Sequence, residues 1–228
     1  MNKFSAQHCV RVLLSLLAML LPARGWAQSL MYSSKEIRGQ AVDADTNQPI
    51  EGAVVVVTWL LSPTMWGHES YDKRLHIAEV VTDASGQYIV PAWGPKVLPP
   101  FSELDDTNPR LAIYKNSYKP KWLHNESHQT GPILDADWNG QVIKLERFQG
   151  TIEQEADYID SFYIGLRRAH DEDEWSDWKN YPRVILEICE AMHRLKALGL
   201  KPGYGPAFPG REGDLEKATR DFLRGHEK

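Results

Sequence analysis

Four consecutive valines, Val54–Val57, constrain the fold more than any other feature of this sequence. Side chains of a β-strand point alternately to opposite faces of the sheet, so an unbroken run of β-branched apolar residues makes a strand apolar on both faces. Such a strand is stable when both of its faces are covered. The run therefore predicts a central strand, within the candidate strand 53–60, that is buried on both sides.

Short apolar segments separated by turn residues extend from about residue 33 to residue 148 and predict an all-β region. Asp, Asn, Pro and Gly residues cluster between the segments and favour turns, and Gly86 is placed to adopt a positive φ. The spacing of the segments is typical of a β-sandwich. The further candidate strands are 36–42, 76–82, 87–91, 110–114 and 141–147.

After the β region the apolar residues recur at helical spacing. Thr151 and Gln154 match a capping box, in which each side chain accepts a hydrogen bond from the other residue's backbone N–H. A second helix is predicted to start near Asn180 and Pro182 and to end at Gly199, a suitable left-handed C′ residue, and a third is predicted from 214 to 224. These helices need a covering surface, which is another helix, the sandwich or a partner. The residues predicted to face inward are Ile152, Ile159, Phe162, Leu166, Ile185, Ile188, Met192, Leu195, Leu215, Ala218 and Phe222.

The N-terminal segment has the composition of a secretory signal peptide. Lys3 and Arg11 precede a run of apolar residues over 12–21, and the small residues Gly25 and Ala27 predict cleavage after Ala27. A retained membrane anchor is the less favoured alternative, because the apolar run is about half of the ~20 residues that span a bilayer. We therefore divide the chain into a signal peptide (1–27), a β-sandwich domain (28–149) and a helical extension (150–228).

Charge and cysteine content narrow the class of protein further. Cleavage after Ala27 removes three basic residues and no acidic one, which leaves 23 basic against 31 acidic side chains and a net charge of −8. Nucleic-acid binding is not expected, because it depends on basic contacts to phosphate. Cys189 is the one cysteine left after cleavage, so an internal disulfide is excluded and stability must come from the core. We expect a periplasmic or secreted bacterial protein with no membrane span after cleavage.

Three segments of the β region resemble the carboxypeptidase regulatory-like domain family. They are a Gly-x-Val-x-Asp strand at 37–43, a Thr-x-x-Pro-Ile-x-Gly-Ala turn at 46–53 and a Thr-Asp-x-x-Gly-x-Tyr hairpin at 82–88. In the first segment Ala41 places Gly39 one residue further from Val42 than in the simplest pattern. A fourth segment, 111–120, resembles the family's strand before a Gly-Tyr-Lys-Pro turn, with Ser117 in place of the usual glycine.

The resemblance covers roughly residues 35–148 and implies a transthyretin-like Greek-key β-sandwich of seven strands. With the helical pattern added, we predict a mainly β fold, a transthyretin-like Greek-key β-sandwich followed by a C-terminal α-helical extension. The resemblance implies a non-catalytic interaction or spacer module. Such motifs specify a fold more than a function, because function depends on sites that differ among proteins of one fold.

A histidine-rich segment gives a candidate metal site. His124, Glu126 and His128 lie within five residues, and imidazole with carboxylate is a ligand set that suits Zn or Cu. His68 and His76 are candidates to complete it. The favoured interpretation is solvated or locally hydrogen-bonded histidines, because this spacing in a loop fixes no coordination geometry.

Tryptophans in loops give a candidate partner site. Trp66, Trp93 and Trp122 fall in segments that can meet at one end of a sandwich, where aromatic rings bind sugars or proteins. The favoured alternative is that they cover the sandwich where the helices dock. The acidic run 171–174 is interpreted as a solvated link between helices, and Cys189 as a buried structural thiol.

The mature sequence contains no nucleophile elbow, no His-Glu-x-x-His helix and no phosphate-binding glycine loop. We therefore expect an exported, non-enzymatic β-sandwich module without a cofactor, for binding or assembly in the bacterial cell envelope. Its expected partner is an envelope protein or a glycan. Two alternatives stay open, namely a periplasmic metal-binding protein or metal-dependent enzyme that uses His124, Glu126 and His128, and a carbohydrate-binding module.

Overall fold

The computed structural model describes residues 31–63, 73–100, 102–128, 131–167, 177–208 and 212–226. The predicted signal peptide, Trp66, His68 and the acidic run 171–174 lie outside these residues. The described strands are β1 (Met31–Ser34), β2 (Ile37–Asp43), β3 (Val54–Pro63), β4 (Lys73–Val81), β5 (Gln87–Val90), β6 (Trp93–Val97), β7 (Ser102–Leu104), β8 (Arg110–Tyr114), β9 (Lys121–Leu123), β10 (Ile133–Leu134) and β11 (Val142–Leu145). The helices are α1 (Ile152–Arg167), a short 3-10 helix (Asp177–Asn180), α2 (Pro182–Ala197) and α3 (Glu212–His226).

The strands form three sheets. The five-stranded sheet, here called the central sheet, has the order β4-β3-β8-β9, with β7 also paired to β3. Two three-stranded sheets have the orders β11-β2-β5 and β10-β1-β6. The predicted mainly β sandwich with C-terminal helices is confirmed. The described residues contain eleven strands rather than the seven that the resemblance implied, because short segments such as β6, β7 and β10 add pairings at the edges.

The valine run lies in β3 and is buried on both faces, as predicted. Val55 and Val57 belong to a cluster between the central sheet and the two smaller sheets, here called the sandwich core. Val54 and Val56 belong to a second cluster between the central sheet and the helices, here called the helix-side core. All four valines are at most 3% exposed. The molecule therefore has three layers, and the central sheet is the middle one.

The ends of α1 and α2 follow the predicted capping chemistry. The Thr151 N–H donates to Gln154 Oε1 (3.0 Å) and the Gln154 N–H donates to Thr151 Oγ1 (3.3 Å). Gly199 has a φ of 102°, and the Leu200 N–H donates to the Leu195 carbonyl across 3.0 Å. These bonds satisfy backbone groups that a helix end otherwise leaves without partners.

The prediction that Ala218 of α3 faces inward is wrong. Leu215 is buried and Phe222 is half-buried, but Ala218 is exposed. Thr219 takes the inward position and is fully buried, since it lies one helical turn after Leu215. Its hydroxyl donates to the Leu215 carbonyl (2.8 Å), which satisfies a polar group that burial would otherwise destabilise.

Two residues in turns of the β region, Gly86 and Ser117, have a positive φ. Gly86 has a φ of 72°, as predicted for the hairpin turn. Ser117, at the position where the resembled family has glycine, has a φ of 70°. A positive φ is strained for a residue with a Cβ, so Ser117 adopts a backbone conformation that suits glycine better.

Candidate functional site

The face of the central sheet that is turned towards the helices carries two rows of side chains. In one row Val56 pairs with Ala112, and Ala112 pairs with Trp122. In the other row Thr58 pairs with Ile77 on one side and Arg110 on the other. Residues paired in this way lie on the same face of the sheet. The rows therefore form a surface that is apolar at one end and polar at the other.

A cavity of about 410 Å³ lies on this surface, beneath the C-terminal half of α1. We call it the α1 cleft. Its size and its mainly apolar walls with a few polar groups are typical of small-ligand sites. It is lined by Val56, Thr58, Leu60, Ile77, Arg110, Ala112, Trp122, Gly165, Leu166 and Tyr181.

Trp122 forms one wall of the α1 cleft and is 42% exposed. Its ring packs on Phe162 of α1, with 5.3 Å between the ring centroids. A Cβ at Gly165 would lie 2.8 Å from Cζ2 of the indole. The absence of a side chain at Gly165 therefore leaves the space in which Trp122 packs against the helix.

Arg110 lines the polar end of the α1 cleft, and Arg74 contacts two other residues that line it. Arg110 forms an ion pair with Asp105 (Nη2 to Oδ2, 2.7 Å) and donates from Nε to Thr107 Oγ1 across 3.2 Å. Arg74 Nη2 donates to the Leu166 carbonyl (2.7 Å). Its guanidinium carbon lies 5.5 Å from the centre of the Tyr181 ring. Both guanidinium groups are thus held by contacts with residues at the cleft or beside it.

A carboxylate of the central sheet caps α2. Glu79 accepts hydrogen bonds from the backbone N–H groups of Arg183 (2.9 Å) and Val184 (2.8 Å) in the first turn of the helix. Burial raises the pKa of Glu79 to about 7, although these two donors and the Arg183 charge act in the opposite direction. The cap joins the helical layer to β4.

Further polar contacts join the end of β8 to the helices. Glu187 Oε1 accepts from the backbone N–H of Asn116 (2.9 Å) and forms an ion pair with Lys115 (3.2 Å). Arg194 donates to Asn116 Oδ1 (3.1 Å) and pairs with Glu155 of α1. Charged side chains therefore cross the boundary between the central sheet and the helices.

The described tryptophans of the predicted partner site lie in different environments. Trp122 contacts α1, whereas Trp93 packs with Trp59 and His76 beside the sandwich core, at ring-centroid distances of 5.2 and 4.9 Å. Burial and the nearby Lys96 ammonium lower the pKa of His76 to about 4. The docking of Trp122 on a helix matches the alternative favoured from the sequence. The partner-binding role of these residues stays a prediction.

The segment of the candidate metal site is exposed except for one residue. His124, Glu126 and His128 are exposed, and His128 Nδ1 lies 2.8 Å from the Asp106 carboxylate. Across the described residues no three His, Cys, Asp or Glu side chains converge as a metal site would require. A metal function of this segment stays a prediction.

Sequence reasoning missed the residues that fix this segment. Asn125 is buried, and its amide donates to the carbonyls of Asn108 (2.7 Å) and Asp135 (2.9 Å). Asn108 is fully buried and exchanges two 2.7 Å hydrogen bonds with the backbone of Leu60, at the irregularity in β3. Asparagine is common in loops, so no sequence signal distinguished these two. Together they attach the loop after β9 to the strand that lines the α1 cleft.

No helix of the described residues has the length and apolar content that crossing a bilayer requires. Cys189 is fully buried in the helix-side core, as predicted.

No protein-family model matches the chain, and no curated protein sequence matches it. Among solved structures it is similar to a streptococcal ancillary pilin, with 13% identity over 53% of this chain and 30% of that chain and a TM-score of 0.27. A 9R-lipoxygenase from Cyanothece PCC8801 has 15% identity over 75% of this chain and 25% of that chain, with a TM-score of 0.29. The C-terminal domain of the shaft pilin SpaA from Lactobacillus rhamnosus GG has 12% identity over 52% of this chain and 98% of that domain, with a TM-score of 0.24. The aligned region spans less than a third of the first two proteins.

Proposed function

We propose that this protein is an exported, non-enzymatic binding module of the bacterial cell envelope and that its ligand occupies the α1 cleft. The observation that carries the proposal is the cleft itself, about 410 Å³ in volume and walled by Trp122, Leu166 and Arg110. These walls come from a sheet edge, a helix and a central strand. A concave apolar site with a few convergent polar groups is the arrangement that binds small ligands.

The proposed module belongs to the carboxypeptidase regulatory-like type. Gly86 and Ser117, which stand at glycine positions of two of its turn motifs, both have a positive φ. Tyr88, the last residue of the hairpin motif, is buried in the sandwich core. These features support the resemblance at the level of individual turns, which is where its motifs are specific.

Export is tested by determining the first residue of the mature protein. We expect expression in a Gram-negative host to give a periplasmic protein that begins at Gln28, because Gly25 and Ala27 provide the small residues that signal peptidase recognises. Mass spectrometry of the osmotic-shock fraction measures this directly. An Ala27→Arg variant is the control and should stay uncleaved. Full-length wild-type chain in the cytoplasm would contradict export.

Ligand binding in the α1 cleft is tested by NMR of the indole N–H signals during a screen of small carboxylates, alcohols, peptides and glycans. We expect a bound ligand to shift the Trp122 signal while that of Trp138, buried in the sandwich core, stays in place. A screen in which no compound shifts Trp122 counts against the proposal.

A variant that fills the floor of the α1 cleft separates a ligand inside it from a ligand on its rim. Ala112→Leu adds volume between Val56 and Trp122, and thermal unfolding checks that the variant folds. A ligand of the cleft loses affinity in Ala112→Leu. A glycan that stacks on the outer side of Trp122 retains its affinity, and that result would assign the tryptophan to a carbohydrate-binding surface instead.

A further inference from the structure

Two polar residues of the α1 cleft lie side by side on neighbouring strands. Thr58 of β3 pairs with Arg110 of β8, and both residues line the cleft. Residues paired in this way have their Cβ atoms about 4.5–5.5 Å apart. Two residues back along β3, Val56 pairs with Ala112, which pairs with Trp122. The cleft therefore has a polar end and an apolar end, which is the arrangement that accepts an amphipathic molecule.

The charge at the polar end is already balanced within the protein. Arg110 is the one charged residue among the described residues that line the cleft, and its Nη2 lies 2.7 Å from the Asp105 carboxylate. Arg74 is not part of the described lining, and its Nη2 donates to the Leu166 carbonyl (2.7 Å). A charged head group at this end would lose hydration without meeting an unpaired counter-charge in the lining, which is unfavourable.

Two hydrogen-bonding groups at the polar end are left unused within the described part of the chain. The side chain of Arg110 bonds through Nη2 to Asp105 and through Nε to Thr107, which fixes its plane and leaves Nη1 without a partner there. The Thr58 hydroxyl has no hydrogen bond to any described residue. A guanidinium N–H donates only, whereas a hydroxyl both donates and accepts. A neutral hydroxyl or amide head group can therefore satisfy both groups at once.

We infer that the α1 cleft binds a small uncharged amphipathic molecule that carries a hydroxyl or amide head group. The oxygen of the head group accepts from Arg110 Nη1, and its O–H or N–H donates to Thr58 Oγ1. The apolar part lies against Val56, Ala112 and Trp122, where burial of an alkyl or aryl group is favourable. This inference rests on the proposed binding function and names the chemical class of the ligand.

Titration of the purified protein with octan-1-ol, octanoate and octylammonium tests the inference, because the three probes share an eight-carbon chain and differ in the charge of the head group. The Trp122 indole N–H signal reports binding by NMR. We expect octan-1-ol to bind about tenfold more tightly than either ion, since a charged head group gives up more hydration than a neutral one. Binding of octanoate or octylammonium as tight as that of octan-1-ol would overturn the inference.

Variants at Thr58 locate the head group. Thr58→Val keeps the shape of the side chain and removes its hydroxyl, so it should weaken octan-1-ol binding about fivefold, the ratio that one net hydrogen bond gives. Thr58→Ser is the matched control, because it retains the hydroxyl and should bind octan-1-ol within about twofold of the wild type. Thermal unfolding checks that both variants fold. Equal affinities of Thr58→Val and the wild type would reject Thr58 as the contact of the head group and would overturn the inference.

Failure of this inference and failure of the proposed function give different results. A Trp122 shift with equal or tighter binding of an ion would reject the uncharged class and retain the proposed binding function. A Trp122 signal that neither the three probes nor any compound of the screen shifts would reject both. Ala112→Leu, which fills the apolar end, should also weaken octan-1-ol binding. Unchanged affinity in that variant would place the alcohol outside the cleft and overturn the inference independently of Thr58.

Discussion

The two faces of β3 are covered in different ways. One face, with Val55 and Val57, packs on two other sheets in the sandwich core. The other face, with Val54 and Val56, packs on helices in the helix-side core. Both cores are apolar, and charged residues such as Glu79 and Glu187 join the central sheet to the helices. The helix side also contains the α1 cleft.

This difference indicates a division of roles between the two faces. Sheet-on-sheet packing interdigitates side chains along whole strands and leaves little space between the layers. A helix meets a sheet along a narrower stripe, so polar contacts are needed to fix its position and gaps can remain beside it. A binding site is therefore expected on the face that is less completely filled.

The largest expected effect comes from truncating each core. Leu111→Ala in the sandwich core and Ile188→Ala in the helix-side core each remove a fully buried side chain, which costs about 2–5 kcal/mol of unfolding free energy. Leu111→Ala should lower hydrogen-exchange protection throughout the molecule. Ile188→Ala should lower it mainly in α1, α2 and α3, because the sandwich retains its own core. Hydrogen exchange with mass spectrometry measures both.

If Ile188→Ala lowered hydrogen-exchange protection equally throughout the molecule, the two cores would unfold as one cooperative unit. The proposed difference in stability between the two faces of β3 would then be wrong. Ile89→Ala provides the control for a surface truncation. Ile89 is 46% exposed and should change stability far less than either core residue.

The second prediction concerns pH. The pKa of Glu79 is about 7 in the folded protein, above its ordinary value of 4.5. Between these values the unfolded chain has released a proton that the folded chain retains, so stability falls as pH rises through this window. The full effect is about 3 kcal/mol. Chemical denaturation at pH 5 and pH 8 should show this loss in the wild type and much less of it in Glu79→Gln.

Asp43, at the end of β2, has the opposite dependence. Hydrogen bonds from the Thr46 backbone N–H (3.0 Å) and the Tyr118 hydroxyl (2.9 Å) hold the pKa of this carboxylate well below its usual range. Its stabilising contribution is present above about pH 4 and is lost as pH falls through the depressed pKa. Asp43→Asn should therefore reduce the loss of stability below pH 4 and leave the wild-type loss between pH 5 and pH 8 unchanged. The reverse pattern would refute the assignment of each carboxylate to its window.

The third prediction sharpens the role of turns on the sandwich side. Ser117→Gly relieves a positive φ at a residue with a Cβ and should raise the unfolding free energy by about 1 kcal/mol, which corresponds to a rise of about 2–4 °C in Tm. Asn47 also has a positive φ, 55°, but asparagine tolerates it better. Asn47→Gly should gain less than Ser117→Gly, as measured by thermal unfolding, and an equal gain would argue against strain at Ser117.

The smallest stability effect is expected at Gly165. Gly165→Ala gains helix propensity of about 1 kcal/mol but places a Cβ 2.8 Å from Trp122, so the two effects offset each other. The Trp122 indole should move, which its NMR signal and the tryptophan fluorescence report. Gly213→Ala in α3, where a Cβ would have no neighbour within 4 Å, is the control and should stabilise without a change at Trp122.

The long strands and the helix ends could be predicted from the sequence because their signals are local. Val54–Val57, the Thr151–Gln154 capping box and Gly199 each specify their own backbone through sterics or hydrogen bonds between near neighbours. The short strands could not be predicted in this way. β6 contains Gly94 and Pro95, and β10 has two residues, so these segments are strands only through their pairing with β1.

The candidate functional site could not be predicted in this way, because it depends on contacts between residues that are far apart in the sequence. Asn108 and Asn125 have no distinguishing local pattern, yet both are buried because each satisfies backbone groups of a different segment. Trp122 was predicted either to bind a partner or to cover the sandwich where the helices dock, but Gly165, which accommodates it, lies far away in the sequence. The pairing of Arg110 with Thr58 follows from sheet register, which the sequence pattern does not fix across several strands.

The sequence by itself determined that one strand is covered on both faces, where α1 begins and α2 ends, and that Gly86 has a positive φ. These properties follow from residue size, branching and backbone geometry over a few neighbouring positions. The tertiary structure alone decided which layer covers each face of that strand, and that the helical cover leaves the α1 cleft with Arg110 in its lining. Those features depend on how separate layers fit together, and packing between layers is a property of side chains that lie far apart in the chain.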